Sequence, residues 1–224
     1  MAEYQTLNHD NLVQAKVQKV LDGDTLKLTD GRAVRLLGLN APELGKAGEK
    51  SEPYARKAYR KLNSLVHNKT IYLKTDAESA DKYSRLLAHV FLADKTNVTA
   101  EILKTGLAYL LIIQPNVEFA DCYKTAQNTA IEKNLNLFND AYNLKFSKKS
   151  GLIKKYKFTK NSLWLYLDKK KYVRISRDDL KYFAKICWQC LIGKTASFQG
   201  WWKKSRTGLR LRLYHPYMME VDDD

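Results

Sequence analysis

The dipeptide Asp30-Gly31 sits between two runs that alternate apolar and polar residues, Thr25 to Leu28 and Ala33 to Leu37. Asp-Gly between such runs is a strong hairpin signal, because glycine readily takes the positive φ that tight turns require. Upstream, Val13 to Leu21 alternates in the same way, and Asp22-Gly23-Asp24 breaks the run before it resumes at Thr25. Residues 12–39 therefore predict three short strands in a meander. A chain that begins so is committed to a small, strongly turned sheet.

The pattern then changes. Residues 40–51, with Pro42, Gly45 and Gly48, predict a loop. From Glu52 to about His67 the apolar positions Ala55, Ala58, Tyr59, Leu62 and Leu65 recur at helical spacing. Thr70 to Lys74 and Arg85 to Leu92 predict strands. Thr96-Asn97-Val98 suits the start of a short helix that ends near Gly106, glycine being favoured just past a helix end. An apolar run to Ile113 follows, then a helix from about Val117 to Lys133. Meander, helix, two strands, helix, helix is the layout of a five-stranded OB-type barrel carrying helices. The fold class expected is α+β, mainly β.

After a lysine-rich segment at 139–150, strand patterns return at Leu152–Phe158, Leu163–Leu167 and Tyr172–Ile175. Arg177 to about Leu191 predicts a helix, with Asp178 and Asp179 near its positive end. Ala196–Trp202, a turn at 205–208 and Leu209–Tyr214 complete a second, smaller OB-like barrel. The expected domains are 1–145 and 146–224.

Charge separates the two halves as well. Of the formal +15, residues 1–145 contribute only +3 (20 Lys+Arg against 17 Asp+Glu), whereas residues 146–224 contribute +12 (19 against 7). A basic module of this kind favours polyanionic partners, nucleic acid foremost. Its lysines and arginines are interleaved with Trp164, Tyr166, Tyr172, Trp201 and Trp202. These aromatics are either stacking platforms for single strands or the core of a small barrel. No apolar run approaches the roughly 20 residues of a membrane span, and Met-Ala-Glu-Tyr-Gln-Thr has neither the basic nor the apolar region of a signal peptide. The acidic tail Asp222-Asp223-Asp224 is expected to be disordered. Cys187-Trp-Gln-Cys190 lacks the two further ligands zinc needs, so incidental thiols are the first reading, a local disulfide the second, and metal or redox use the third. The four histidines form no HxH or HExxH spacing.

The chemistry lies in Leu21-Asp-Gly-Asp-Thr25, Val34-Arg-Leu-Leu-Gly-Leu-Asn-Ala-Pro-Glu43, Glu52-Pro-Tyr-Ala55 and Asp81-Lys-Tyr-Ser-Arg85. In sequence and order, over roughly residues 12–138, these segments resemble the staphylococcal nuclease (thermonuclease) family. More loosely, Arg174-Ile-Ser-Arg-Asp-Asp-Leu180, Gly200-Trp-Trp202 and Leu209-Arg-Leu-Arg-Leu-Tyr-His-Pro216 resemble the extra domain of a bacterial branch of that family. The resemblance implies a phosphodiesterase acting on DNA or RNA with bound Ca²⁺ and leaving 3′-phosphate ends. It places Asp24 and Asn40 at the ion, Arg35 and Arg85 on the phosphate, Glu43 as the base, and Lys82 and Tyr83 on a flanking phosphate. It also favours a secreted or periplasmic protein. The residue types suit those roles. A carboxylate offers Ca²⁺ a hard oxygen, guanidinium groups pair with phosphate oxygens, and a loop carboxylate can deprotonate water. A monomer without protein partners is expected.

Two departures stand out. The best-known members carry Asp-Thr where this chain has Asn40-Ala41, which removes one negative charge from the ion site. Their paired base-flanking tyrosines have no clear match, because the segment Tyr109 to Pro115 is apolar and one residue shorter. The alternative reading is a catalytically silent nucleic-acid-binding module. A scaffold for protein partners has only the CxxC and the apolar run at 107–113 in its favour.

Overall fold

The computed structural model describes residues 12–45, 49–139 and 146–222, which fall into two compact units, Met1–Asp140 and Ala141–Asp224. The junction expected near residue 145 falls among residues outside the described set. Among the described residues no helix is long and apolar enough to cross a membrane.

In the first unit β1 (Val13–Val20), β2 (Thr25–Leu28) and β3 (Ala33–Leu36) form the expected meander. Strands β5 (Thr70–Lys74) and β6 (Leu86–Phe91) close it into a barrel of order β1-β2-β3-β6-β5. Between these lie the short β4 (Gly38–Asn40) and helix α1 (Ala55–Val66). Closure needs two different pairings. β5 runs antiparallel to β1, with Val13 opposite Leu73, whereas β6 runs parallel to β3, with Val34 opposite Leu86. Alternation sends Val17, Leu26, Leu28, Val34, Leu36, Ile71, Leu73, Ala88 and Val90 inward, all essentially buried. A register shift between Val17 and Lys19 is the kind of irregularity that bends a strand around a small barrel.

Helix α1 buries Ala55, Ala58, Leu62 and Val66, one stripe of its surface. Helix α2 (Val98–Lys104) begins where the sequence predicts, with the Asn97 side chain accepting from the Ala100 N–H. It is followed by β7 (Tyr109–Leu111) and α3 (Ala120–Glu132). β7 pairs with β4, Asn40 opposite Tyr109. That two-stranded ribbon holds Asn40 within hydrogen-bond distance of Arg35 on β3.

The second unit is a seven-stranded curled half-barrel sheet. Its strands are β8 (Phe146–Thr159), β9 (Ser162–Leu167), β10 (Lys171–Ser176), β11 (Thr195–Trp201), β12 (Lys203–Ser205), β13 (Gly208–Arg212) and β14 (Met219–Val221), in the order β12-β13-β10-β9-β8-β11-β14. The long β8 is its spine. Its first half pairs with β11 and its second half with β9. The concentrated apolar side chains of one face, including Leu163, Leu165, Val173, Phe198 and Leu211, form the core.

Three expectations change here. The helix predicted over Arg177–Leu191 is replaced by two short 3₁₀ turns, Leu180–Phe183 and Gln189–Leu191. Ile186, Cys187 and Trp188 are weak helix formers, and Cys187 and Cys190 are joined in a disulfide rather than left as incidental thiols. Asp179, expected at a helix start, instead accepts the Ser176 hydroxyl at 2.8 Å. β14 escapes sequence reading because three residues carry too little alternation. It still pairs with β11, and Asp222 N–H donates to the Thr195 carbonyl. Asp223 and Asp224, the rest of the acidic tail, lie outside the described residues.

Gly38 shows how tightly the first unit is drawn in around β4. It has φ +86°, and a Cβ there would lie 2.2 Å from the ring of Tyr123, a buried α3 residue. Gly38→Ala combines overpacking with a strained left-handed backbone and is expected to destabilise the protein by at least about 3 kcal/mol. Urea unfolding measures it, and a loss under about 1 kcal/mol would contradict this packing.

Candidate active site

The turn between β1 and β2 places Asp24. Asp22 Oδ1 accepts the Asp24 N–H at 2.9 Å, and Leu21 N–H donates to the Thr25 carbonyl at 2.8 Å. Gly23 is required at the apex, because a Cβ there would meet the methyl groups of Ala41 and Ala58 at 2.6 and 2.7 Å. The turn is thus pressed against α1 and against the loop that follows β4. Asp24 is only 6% exposed. Its Oδ2 accepts from the Ala41 N–H at 3.0 Å and pairs with Arg35 Nη2 at 2.9 Å, while its Oδ1 accepts the Thr25 hydroxyl at 2.9 Å. Burial pushes its carboxyl up to about 6, against the pull of the Arg35 guanidinium and with some help from the nearby Asp22.

Arg35 is the hub. Besides Asp24, its Nη2 donates to Asn40 Oδ1 at 3.2 Å, and its Nη1 donates to the carbonyls of Leu36 and Leu39 at 2.7 and 2.9 Å. Arg85 comes alongside because β6, which starts at the next residue, pairs in parallel with β3. Asp81 aims it. Asp81 Oδ2 accepts from Arg85 Nε and pairs with Nη2, both at 2.8 Å, and Asp81 Oδ1 accepts the backbone N–H groups of Tyr83 and Arg85. Burial works against the Asp81 charge. The Arg85 and Tyr83 N–H groups and the Arg85 guanidinium nevertheless hold its carboxyl below the usual range. Arg85 Nη1 also points at the Thr25 hydroxyl, 3.4 Å away.

Arg35, Arg85, Asp81 and Lys82 line one cleft of about 380 Å³, together with Leu111, Ile113, Gln114 and Asn116. Asn116 is tied to Glu78, also in the lining, accepting from its N–H and donating to its carbonyl. Tyr83 is 68% exposed, outside the cleft lining, with Lys82 Nζ 4.9 Å from its ring centre. Glu43 also does not line the cleft. It stands exposed on the loop after β4, behind the buried Ala41 and Pro42. Glu52 anchors that loop, since its carboxylate accepts the Glu43 N–H at 3.1 Å and its own N–H donates to the Glu43 carbonyl at 2.9 Å. Asp81, Glu52 and Thr25 thus hold and orient the site. All three lie within the motif segments, but sequence alone gives them no role.

Two hard oxygens, Asp24 Oδ2 and Asn40 Oδ1, converge on one cationic point, the Nη2 of Arg35. Oxygens of this kind suit Ca²⁺ and supply part of the six to eight ligands it takes. A second cluster lies elsewhere in the unit. His89, Asp76 and Glu118 bring a ring nitrogen and two carboxylate oxygens within 4.8 Å of one another, a donor set that can hold a divalent ion. There Lys74 already bonds to the Glu118 carboxylate and supplies a positive charge.

The chain belongs to the staphylococcal nuclease homologue family, whose model matches residues 33–140. It is 34% identical to a thermonuclease of Staphylococcus intermedius over 125 residues, which are 54% of this chain and 74% of that protein. It is 29% identical to a thermonuclease of Staphylococcus hyicus over 137 residues, 60% of this chain and 80% of the relative. Endonuclease YncB of Bacillus subtilis (strain 168) is 31% identical over 137 residues, covering 59% of this chain and 64% of that one.

Two predictions arise from this geometry. Asn40→Asp adds a negative charge at the converging oxygens and is expected to tighten Ca²⁺ binding by roughly tenfold. Calorimetric titration of Ca²⁺ decides it, and equal or weaker affinity would count against an ion at this point. The second concerns His89, which is 1% exposed and accepts or donates at Nδ1 to the Tyr123 hydroxyl at 2.8 Å. Burial lowers its pKa to about 4, against the opposing pull of Asp76 and Glu118. Between pH 6.5 and 4 the unfolded chain therefore binds a proton that the folded protein does not. Stability is lost as pH falls through that window, by about 3 kcal/mol from this group. His89→Gln should flatten that part of the urea-derived stability profile, and an unchanged slope would refute the assignment.

Proposed function

We propose that this chain is a calcium-dependent, sequence-tolerant nuclease that hydrolyses phosphodiester bonds of DNA or RNA and leaves 3′-phosphate ends. The observation that carries this reading is the pairing of Arg35 and Arg85 in one cleft, beside a buried carboxylate. Two guanidinium groups so placed suit a phosphodiester whose charge must be neutralised as pentacoordinate phosphorus develops. Family membership and the thermonuclease relatives support the same reaction class.

In this reading the two arginines bind the non-bridging oxygens of the scissile phosphate, Arg85 held in position by Asp81. Lys82 meets a flanking phosphate at the cleft edge, with Tyr83 beside it. Asp24 and Asn40 would hold the ion, and Ca²⁺ bound there would supply additional charge neutralisation at the phosphate oxygens. Glu43 takes the proton of the attacking water. The water oxygen forms the new bond to phosphorus, the bond to the 5′ oxygen breaks, and that oxygen takes a proton from solvent to leave as a hydroxyl. Leu111 and Ile113, which line the cleft beside the arginines, are apolar and carry no side-chain groups to read base edges, which fits sequence tolerance.

A second reading, a silent nucleic-acid-binding module, draws on the same hub. Both Nη nitrogens of Arg35 are engaged, with Asp24, Asn40 and two carbonyls, and residue 40 lacks the charge an aspartate would bring. Cleavage assays on single- and double-stranded DNA and RNA separate the two. With Ca²⁺ the parent is expected to cut, and with EGTA to stop. Glu43→Ser should lose about 10²–10⁴-fold in rate, and Arg85→Lys about 10²–10³-fold. Binding without cutting by the parent, across metals and pH, would make the silent module the better reading.

A further inference from the structure

The outward face of the second unit carries an arrangement that neither core packing nor the catalytic cleft uses. Side chains alternate across a sheet, so the core on one face fixes what the other presents. Leu163, Leu165, Val173, Ile175 and Leu211 are buried. Their neighbours in sequence point the opposite way, and the strand register aligns them in two rows. One row runs Lys157–Trp164–Arg174–Arg212 across β8, β9, β10 and β13. The other, two residues along each strand, runs Lys155–Tyr166–Tyr172–Arg210 and continues to Lys203 on β12. No acidic residue occupies a position in either row. Five strands at about 4.8 Å spacing give a platform about 19 Å across.

The rings on this face are partly exposed and already pair with cations. Lys155 Nζ lies 4.9 Å from the Tyr166 ring centre, and Arg210 lies 5.6 Å from that of Trp164. Tyr166 and Tyr172 meet edge to face at 5.7 Å. By contrast, Trp202, which the sequence groups with these aromatics, is buried and donates its indole N–H to the Ser147 carbonyl at 3.1 Å. It belongs to the core. Rows of lysine and arginine beside flat rings match two features of an unpaired nucleic-acid strand: a regularly charged backbone, and bases whose faces are free to stack. A duplex hides those faces and would use only the charges.

We propose that this face is a sequence-tolerant binding platform for single-stranded nucleic acid, with Trp164, Tyr166 and Tyr172 stacking bases and the flanking Lys and Arg residues holding phosphates. The proposal stands apart from the cleavage chemistry, because it concerns only residues 155–212.

Fluorescence anisotropy of the full chain with a labelled 20-mer oligo(dT) and a 20-bp duplex tests it. EGTA is present, and the intactness of the DNA is checked on a gel. The parent should bind oligo(dT) with strong salt dependence. Trp164→Leu, which keeps apolar bulk, should weaken oligo(dT) binding about 5- to 100-fold while changing duplex binding less than twofold. The charge-reversed triple variant Lys155→Glu/Lys157→Glu/Arg210→Glu alters only exposed side chains. It should weaken oligo(dT) binding more than tenfold and lower the salt slope by about 2. Circular dichroism and unchanged thermal midpoints establish that both variants are folded. No oligo(dT) binding by the parent, triple-variant binding within twofold of the parent, or equal loss of oligo(dT) and duplex binding in Trp164→Leu would each overturn the proposal. The Glu43→Ser cleavage assay reports separately on the active site, so either conclusion can fail alone.

Discussion

The Arg35 guanidinium, partly buried, is bound by the Asp24 carboxylate, the Asn40 amide oxygen and two backbone carbonyls. A positive charge withdrawn from water needs such compensation, and it is met from two stretches of the chain. Asp24 comes from the turn before β2, brought alongside by the pairing of Thr25 with Arg35, whereas the Leu36 and Leu39 carbonyls and Asn40 come from the run that follows Arg35 itself, the end of β3 and β4. Formation of the β2–β3 hairpin and placement of this part of the site are therefore one event. If any of these segments fails to reach the guanidinium, a buried charge is left uncompensated.

The same economy of construction recurs around that hub. Gly23 lets Ala41 and Ala58 close on the Asp24 turn, and Gly38 lets the Tyr123 ring close on β4. Tyr123 in turn hydrogen-bonds His89 and Asn97 through its hydroxyl, linking α3 to β6 and to the start of α2. Asp81 spends its carboxylate on both the backbone and the side chain of the loop that carries Arg85. The cleft is thus lined by cations whose directions are set by backbone geometry and by paired carboxylates. Glu43, by comparison, is fixed through its backbone by Glu52 while its own carboxylate stays in solvent. A carboxylate left free in this way is available to a water molecule.

The second unit is built on another principle. A sheet that remains an open half-barrel has two faces of unlike chemistry, and strand alternation segregates them without any further device. Its apolar face packs around Phe183, Phe198 and Trp202, and its other face collects cations and half-exposed rings.

Much of this was legible in the sequence. The Asp-Gly turn and the alternating runs specify the meander, because turn geometry and strand pleat are local properties. Asn97 and Gly106 mark the span of α2 for the same reason. The order of the DGDT, RLLGLNAPE and DKYSR segments identifies the family. Tertiary structure decided what depends on distant groups. It replaced the helix expected over 177–191 with 3₁₀ turns and a disulfide, since burial of Phe183 and pairing of Cys187 with Cys190 outweigh a weak helical pattern. It separated Trp164, which alternates with the buried Leu163 and Leu165 on β9, from Trp202, which lies between β11 and β12 and packs into the core, two tryptophans that composition cannot tell apart. It also gave Thr25, Glu52 and Asp81 their positioning contacts, and it brought Asp24 and Asn40 to one nitrogen of Arg35. The Thr25–Arg85 contact, 60 residues apart in sequence, is set by the parallel pairing of β3 with β6, and no local pattern in the chain encodes it.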